Sequence, residues 1–213
     1  MIPSAEVDHL VIAAETLAQG CDYVESGLGV RPTPGGKHVT MGTHNALVGL
    51  GPHAYIEIIA IDPEASAPAR PRWFDLDDVR MRATLAEGPR LMHFVARTRD
   101  LDALVRAAKH DPGPIHPLTR GDLRWRITIP DDGHLPGRGL VPTLIQWDSD
   151  LHPAARLPDA GVRLAALGGE HPEPQPIRTA LAALGLADTL KVTYGRHPRL
   201  AAMLRTPRGI VTL

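Results

Sequence analysis

One order of segments occurs twice in this chain, and that repetition constrains the fold more than any other feature. Residues 7–13, VDHLVIA, have the β-branched apolar density of a strand buried on both faces. Residues 15–29 suit a helix, with Leu17, Cys21, Val24 and Leu28 at helical spacing and Gly29 as its stop. The 31–37 loop, RPTPGGK, leads to short strand candidates at 38–41, 45–50 and 55–61, divided by turns at Gly42 and at Gly51 and Pro52. The order is βαβββ. After a Pro- and Ala-rich connection and a helix expected over 75–87, it returns. A strand at 91–98 precedes a helix with Leu101, Leu104, Val105 and Ala108 on one face, then strands at 115–118, 123–129 and 141–147.

The copies align by counting: His9 stands eight positions before Leu17, and His93 eight before Leu101. Glu57 in YIEIIA is matched with Gln146 in TLIQWD, each a polar residue inside a closing strand. The expected fold class is α+β: two βαβββ modules, residues 1–62 and 90–150, form a cupped mixed sheet and are joined by a connecting segment, 63–89. Residues 151–213 read as a partial βαββ extension that would extend or cover a sheet edge. Its parts are a strand at 162–167, a helix at 177–186 and strands at 190–194 and 210–213, with 200–204 readable as strand or helix.

Side chains alternate across a strand, so a polar residue centred in an apolar strand needs a partner. His9, Glu57, His93 and Gln146 are four such residues, and one shared cation would satisfy them together. Two imidazoles and a carboxylate suit divalent Fe, Mn, Ni, Co or Zn, with open positions for water or a substrate oxygen. His9, Glu57 and His93 are therefore candidate metal ligands, and Glu57 is also the candidate catalytic base. Gln146 is expected to contact substrate or a metal-bound water, because an amide oxygen is a poor ligand. His44, beside the turn at Gly42, together with Trp125 and Arg126, completes the candidate pocket; Arg124 and Arg126 flank Trp125 and could anchor an anion. Against this stands a plainer account, in which each strand histidine is a buried core residue bonded to a nearby carbonyl or to Asp8. His116, His134, His152, His171 and His197 lie in loops and read as solvated.

The segments DHLVI, GTHNAL, YIEIIA and LMHFVA, with LRWRITIP followed by PTLIQW, resemble glyoxalase-like domain proteins of the vicinal oxygen chelate superfamily. That resemblance implies the paired-module fold, with metal ligands from the first and last strands of each module. Here those are His9, Glu57, His93 and Gln146. Classical glyoxalase I enzymes have a carboxylate where this sequence has Gln146. The resemblance implies a divalent-metal-dependent lyase, isomerase or dioxygenase acting on a small oxygenated molecule. The alternative within the same fold is a metal-free binding protein that sequesters a small ligand.

Composition narrows the partners. The chain of 213 residues carries 23 basic and 24 acidic side chains, with no basic block to follow a phosphate backbone, so no nucleic-acid partner is expected. Neither a signal peptide nor a membrane span is expected. A lone cysteine, Cys21, leaves no disulfide framework and fits a reducing, cytoplasmic setting. A two-fold homodimer is the default assembly for a small enzyme.

Overall fold

The computed structural model describes residues 4–148 and 152–213. The first module comprises β1 (Glu6–Ala13), α1 (Leu17–Leu28), β2 (Thr33–His38), β3 (Thr43–Gly49) and β4 (Tyr55–Ile61). After α2 (Val79–Glu87), the second repeats the order with β5 (Arg90–Arg97), α3 (Leu101–Ala107), β6 (Ile115–Arg120), β7 (Leu123–Thr128) and β8 (Thr143–Trp147). Helix α1 begins where Thr16 and Gln19 form a reciprocal capping box and ends at Gly29, whose φ of 72° places it in the left-handed region.

The eight strands form one curved mixed sheet in the order β2-β3-β4-β1-β5-β8-β7-β6. Strands β1 and β5 run antiparallel at its centre, each flanked by the parallel closing strand of its own module. The edge strands β2 and β6 meet, which brings the ends of the sheet together into a cup. One face carries Leu10, Ile12, Ile56, Ile58, Phe94, Ala96 and Leu144 against α1, α3 and the C-terminal region. The other, inside the cup, carries Val11, Ile59, Val95, Trp125, Ile127 and Ile145.

Two expectations change. The first edge strand lies at Thr33–His38, within the expected Pro- and Gly-rich loop. An edge strand tolerates Pro34, and its pairing with β3 is irregular between Pro34 and Lys37. There Asn45 Oδ1 accepts the Gly36 N–H at 2.9 Å in place of a regular ladder bond. The connecting helix starts at Val79, not residue 75, because Phe74 and Asp75 take left-handed backbone angles, φ 62° and 56°.

The C-terminal region forms a separate four-stranded sheet, β10-β9-β11-β12, from β9 (Arg163–His171), β10 (Leu190–Tyr194), β11 (Arg199–Thr206) and β12 (Gly209–Thr212), with α4 (Pro174–Ala183) after β9. Residues 200–204 are strand. This unit covers a face, not an edge: β11 lies against β5, and Leu200, Ala202 and Leu204 share the core that includes Phe94 and Leu144.

Candidate functional site

The β1–β5 pairing positions the site. Val11 pairs with His93 and His9 with Val95, so both histidines face into the cup. Each strand also has an irregularity just before its histidine. On β1 the register steps from Val7 to His9 against consecutive residues of β5; on β5 it steps from His93 to Leu91 against consecutive residues of β1. Asp8 and Met92 are thus the extra residues of two matched bulges, a device that re-aims a side chain.

In the first module the re-aimed residue is an acid. Asp8 is 0% exposed and takes His9 Nδ1–H on Oδ1 at 2.7 Å; Oδ2 accepts from Trp147 Nε1 at 2.8 Å and from His152 Nε2 at 2.9 Å. His9 Nε2 faces Glu57 Oε2 at 3.6 Å, and Glu57 Oε1 accepts from Asn45 Nδ2 at 2.6 Å. Burial works against charge here, yet the hydrogen bonds to Asp8 and Glu57 outweigh it and raise His9 to about 9. Burial likewise opposes ionisation of Glu57, but its bond to His9 holds it at about 2. Asp8, also fully buried, is held well below the usual carboxylate range by His152 and His9. His9 thus lies between two carboxylates, both of which favour its protonated form.

In the second module the same strand position carries a neutral ring. His93 Nδ1–H donates to Gly139 O at 3.1 Å, while Nε2 accepts from Thr143 N at 3.1 Å and lies 3.0 Å from Thr143 Oγ1. Burial lowers its pKa to about 4. With Val11 pairing to Glu57 and Val95 to Thr143, Thr143 is the structural counterpart of Glu57.

Around the His9–Glu57 pair the cup is lined by His38, Asn45, Tyr55, Trp73, Arg120 and Trp125, with Trp147 beside them. Arg120, at the tip of the β6–β7 hairpin, donates from Nη1 to Asn45 Oδ1 at 3.1 Å and to His38 Nε2 at 3.2 Å, joining the modules across the mouth. His38 Nδ1 lies 3.0 Å from Thr43 Oγ1, and burial lowers this histidine to about 4, so it is neutral. The free space at the centre is about 30 Å³, room for a water molecule.

The structure brings His9, Glu57 and Trp125 together and leaves the other candidates elsewhere. His93 shares the inner face, but both ring nitrogens are engaged by its own module. Gln146 pairs with Arg126 in the register and lies on the opposite face from Trp125 and Trp147. Its Oε1 accepts the Leu101 N–H at 2.9 Å, capping α3, and Arg126 Nη2 at 2.8 Å. Arg126 also binds Asp102 at 2.8 Å. His44 alternates with Thr43 and Asn45 and so points away from the cup. Sequence reasoning missed His38, Asn45, Trp73, Arg120 and His152 as site residues; Asp8 it named only as a partner of a core histidine, and that bond is present at His9, as the carbonyl bond is at His93. Strict alternation turns Asp8 outward, and His152, read as a solvated loop residue, is buried against it.

These positions decide how a resident divalent metal would fit. The expected set of His9, Glu57, His93 and Gln146 does not converge, and among the described residues no group of three or more His, Cys, Asp or Glu side chains is arranged to hold a metal ion. The lone pair of His93 Nε2 is directed at Thr143, away from His9 and Glu57.

Two βαβββ modules sharing one curved sheet, with a polar cluster inside, are the paired-module fold of glyoxalase-like proteins. The chain belongs to the glyoxalase-like domain family, whose model matches residues 7–185. A hypothetical protein from Staphylococcus aureus shares the fold: 14% identity over 100% of this chain and 84% of its own, with a TM-score of 0.59. Methylmalonyl-CoA epimerase from Mycobacterium tuberculosis aligns at 20% identity over 66% of this chain and 85% of its own, TM-score 0.39. The Streptomyces coelicolor enzyme in complex with 2-nitronate-propionyl-CoA gives 18% identity, 70% and 99% coverage and a TM-score of 0.42. A search among curated proteins found no significant match. No helix among the described residues is long and apolar enough to cross a membrane.

Proposed function

We propose that this glyoxalase-like protein binds a small oxygenated molecule in the cup, with the His9–Glu57 ion pair as its polar floor and no resident divalent metal. The observation that carries this reading is the closed set of contacts at the floor: His9 Nδ1 bonds to Asp8 and Nε2 faces Glu57, Glu57 Oε1 is held by Asn45, and His93 is engaged by its own module. Binding is better supported than proton abstraction by Glu57. A general base needs an oxygen free to take the proton, and here Glu57 Oε1 is held by Asn45 while Oε2 faces His9.

A second reading retains the metal-dependent lyase, isomerase or dioxygenase. Asp8 holds Nδ1 of His9 and leaves Nε2 toward the cup, as the carboxylate behind a metal-bound histidine does. His38 Nε2, 3.9 Å from Glu57 Oε1, would then be the third donor in place of His93. Metal entry would require Arg120 to leave His38.

Thermal unfolding separates the two. The protein, purified without chelator, is scanned with Mn, Fe, Co, Ni and Zn salts and with small carbonyl and aromatic compounds, both neutral and anionic. A binder at about a hundred-fold excess over Kd should raise Tm by roughly 5–10 °C. Stabilisation by compounds and not by metals is expected. Stabilisation by a metal that is lost in His9→Ala and Glu57→Ala, and kept in His93→Ala, would overturn the metal-free reading.

A further inference from the structure

We infer that the molecule bound in the cup carries a carboxylate, received by the indole N–H of Trp73 and the guanidinium of Arg120. The inference rests on the reading that the cup binds a small molecule and names the chemistry it selects.

Trp73 lines the cup and is 5% exposed, yet its Nε1–H has no acceptor among the described residues. Buried donors are rarely left unpaired, so an unpaired one on a cup-lining residue is open to an acceptor on the occupant. The backbone that presents it is strained. Phe74 and Asp75 follow in successive left-handed conformations, costly for non-glycine residues and concentrated at binding sites. The turn is clamped by Asp75 N–H on Gly133 O at 2.9 Å and by Leu135 N–H on Asp75 Oδ2 at 3.2 Å. Trp73 comes from the segment between the modules, so neither repeat accounts for it.

Arg120 makes an anion the matching acceptor. His9 lies between Asp8 and Glu57, and Arg97 Nη1 stands 3.9 Å from Asp8 Oδ2, so the carboxylates of the floor have partners apart from Arg120. Arg120 pairs with no carboxylate among the described residues. Both its bonds run from Nη1 to neutral side chains, which leaves Nε and Nη2 for a ligand. A guanidinium offers a planar fork that matches a carboxylate. The walls between these donors and the floor are the rings of Trp73, Phe74, Trp125 and Trp147, which suit a flat body on the acid.

All three tryptophans of the chain line this cup, so intrinsic fluorescence reports its occupancy directly. Benzoate and benzamide, near-identical in shape, are titrated into the full-length protein and into Trp73→Phe and Arg120→Gln. Trp73→Phe keeps the ring and removes the N–H, and Arg120 stands at the rim, so folding of both variants is checked by circular dichroism. Benzoate is expected to bind at least about ten-fold more tightly than benzamide, and each variant to weaken benzoate by about ten-fold with little change for benzamide. Equal binding of acid and amide, or a Trp73→Phe protein that binds benzoate as the parent does, overturns the inference. If neutral compounds stabilise the protein and benzoate does not, the inference falls while binding in the cup stands. If nothing in either experiment binds, both fall.

Discussion

His9 and His93 occupy equivalent places in equivalent strands, each after a bulged residue and each facing the same cup, yet one is a cation and the other neutral. The difference comes from two neighbours. The residue before the histidine is Asp8 in the first module and Met92 in the second, and the residue across the closing strand is Glu57 in the first and Thr143 in the second. Two carboxylates hold a proton on His9, whereas a carbonyl and a threonine fix a single neutral tautomer of His93. Duplication thus supplied two similar frames, and side-chain replacement made one polar floor and one structural buttress. His9 lines the free space of the cup, while His93, on the same inner face, is covered by contacts of its own module.

The largest effect expected from breaking this asymmetry is at Asp8. Asp8→Ala leaves buried His9, Trp147 and His152 without their common acceptor and should cost about 3–5 kcal/mol in urea unfolding. A loss under about 1 kcal/mol would mean that Asp8 does not hold the first module's charge in place.

The pH dependence should show the two histidines with opposite signs. His9 is raised from 6.5 to about 9, so its contribution is fully present below about 6.5 and is lost as pH rises through about 9. His93 is lowered from 6.5 to about 4, so its contribution is present above about 6.5 and is lost as pH falls through about 4. Each limb is worth up to about 3 kcal/mol. Stability measured from pH 4 to pH 9 should lose its alkaline fall in His9→Gln and its histidine-dependent acid fall in His93→Gln. Matching profiles for the two variants would contradict the assigned charge states.

The smallest effect is expected at Gln146. Gln146→Ala removes the cap on the Leu101 N–H and should cost about 1 kcal/mol, with no change in ligand response of the cup. A changed ligand titration at unchanged stability would return Gln146 to the site.

Much of the fold was legible in the chain itself. The two-fold βαβββ order follows from apolar periodicity and turn residues, and these act over a few neighbouring positions. That is also why β2 was misplaced: Pro34, Gly35 and Gly36 read as loop locally, while an edge position and the side chain of Asn45 make them strand. His9 and Glu57 were legible because a charged or polar residue in the middle of an apolar strand requires a partner wherever the strand lies. Asp8 was named as a partner for a strand histidine, but its place inside the cup was not legible. A one-residue bulge turns Asp8 from the outer face to the inner, and strict alternation has no means of registering it.

The same limit explains Gln146, which counting matched to Glu57 and pairing matches to Arg126 on the far face, with Thr143 in the equivalent place. Arg120 and Trp73 reach the cup from a hairpin tip and a strained turn, across sequence separations that no local pattern spans. Sequence alone determined the repeated modules and the need for a polar cluster within them, because secondary structure and burial are set by short-range patterning. Register, bulges and the meeting of edge strands decided which side chains form that cluster, because these depend on contacts that exist only once the sheet has curved and closed.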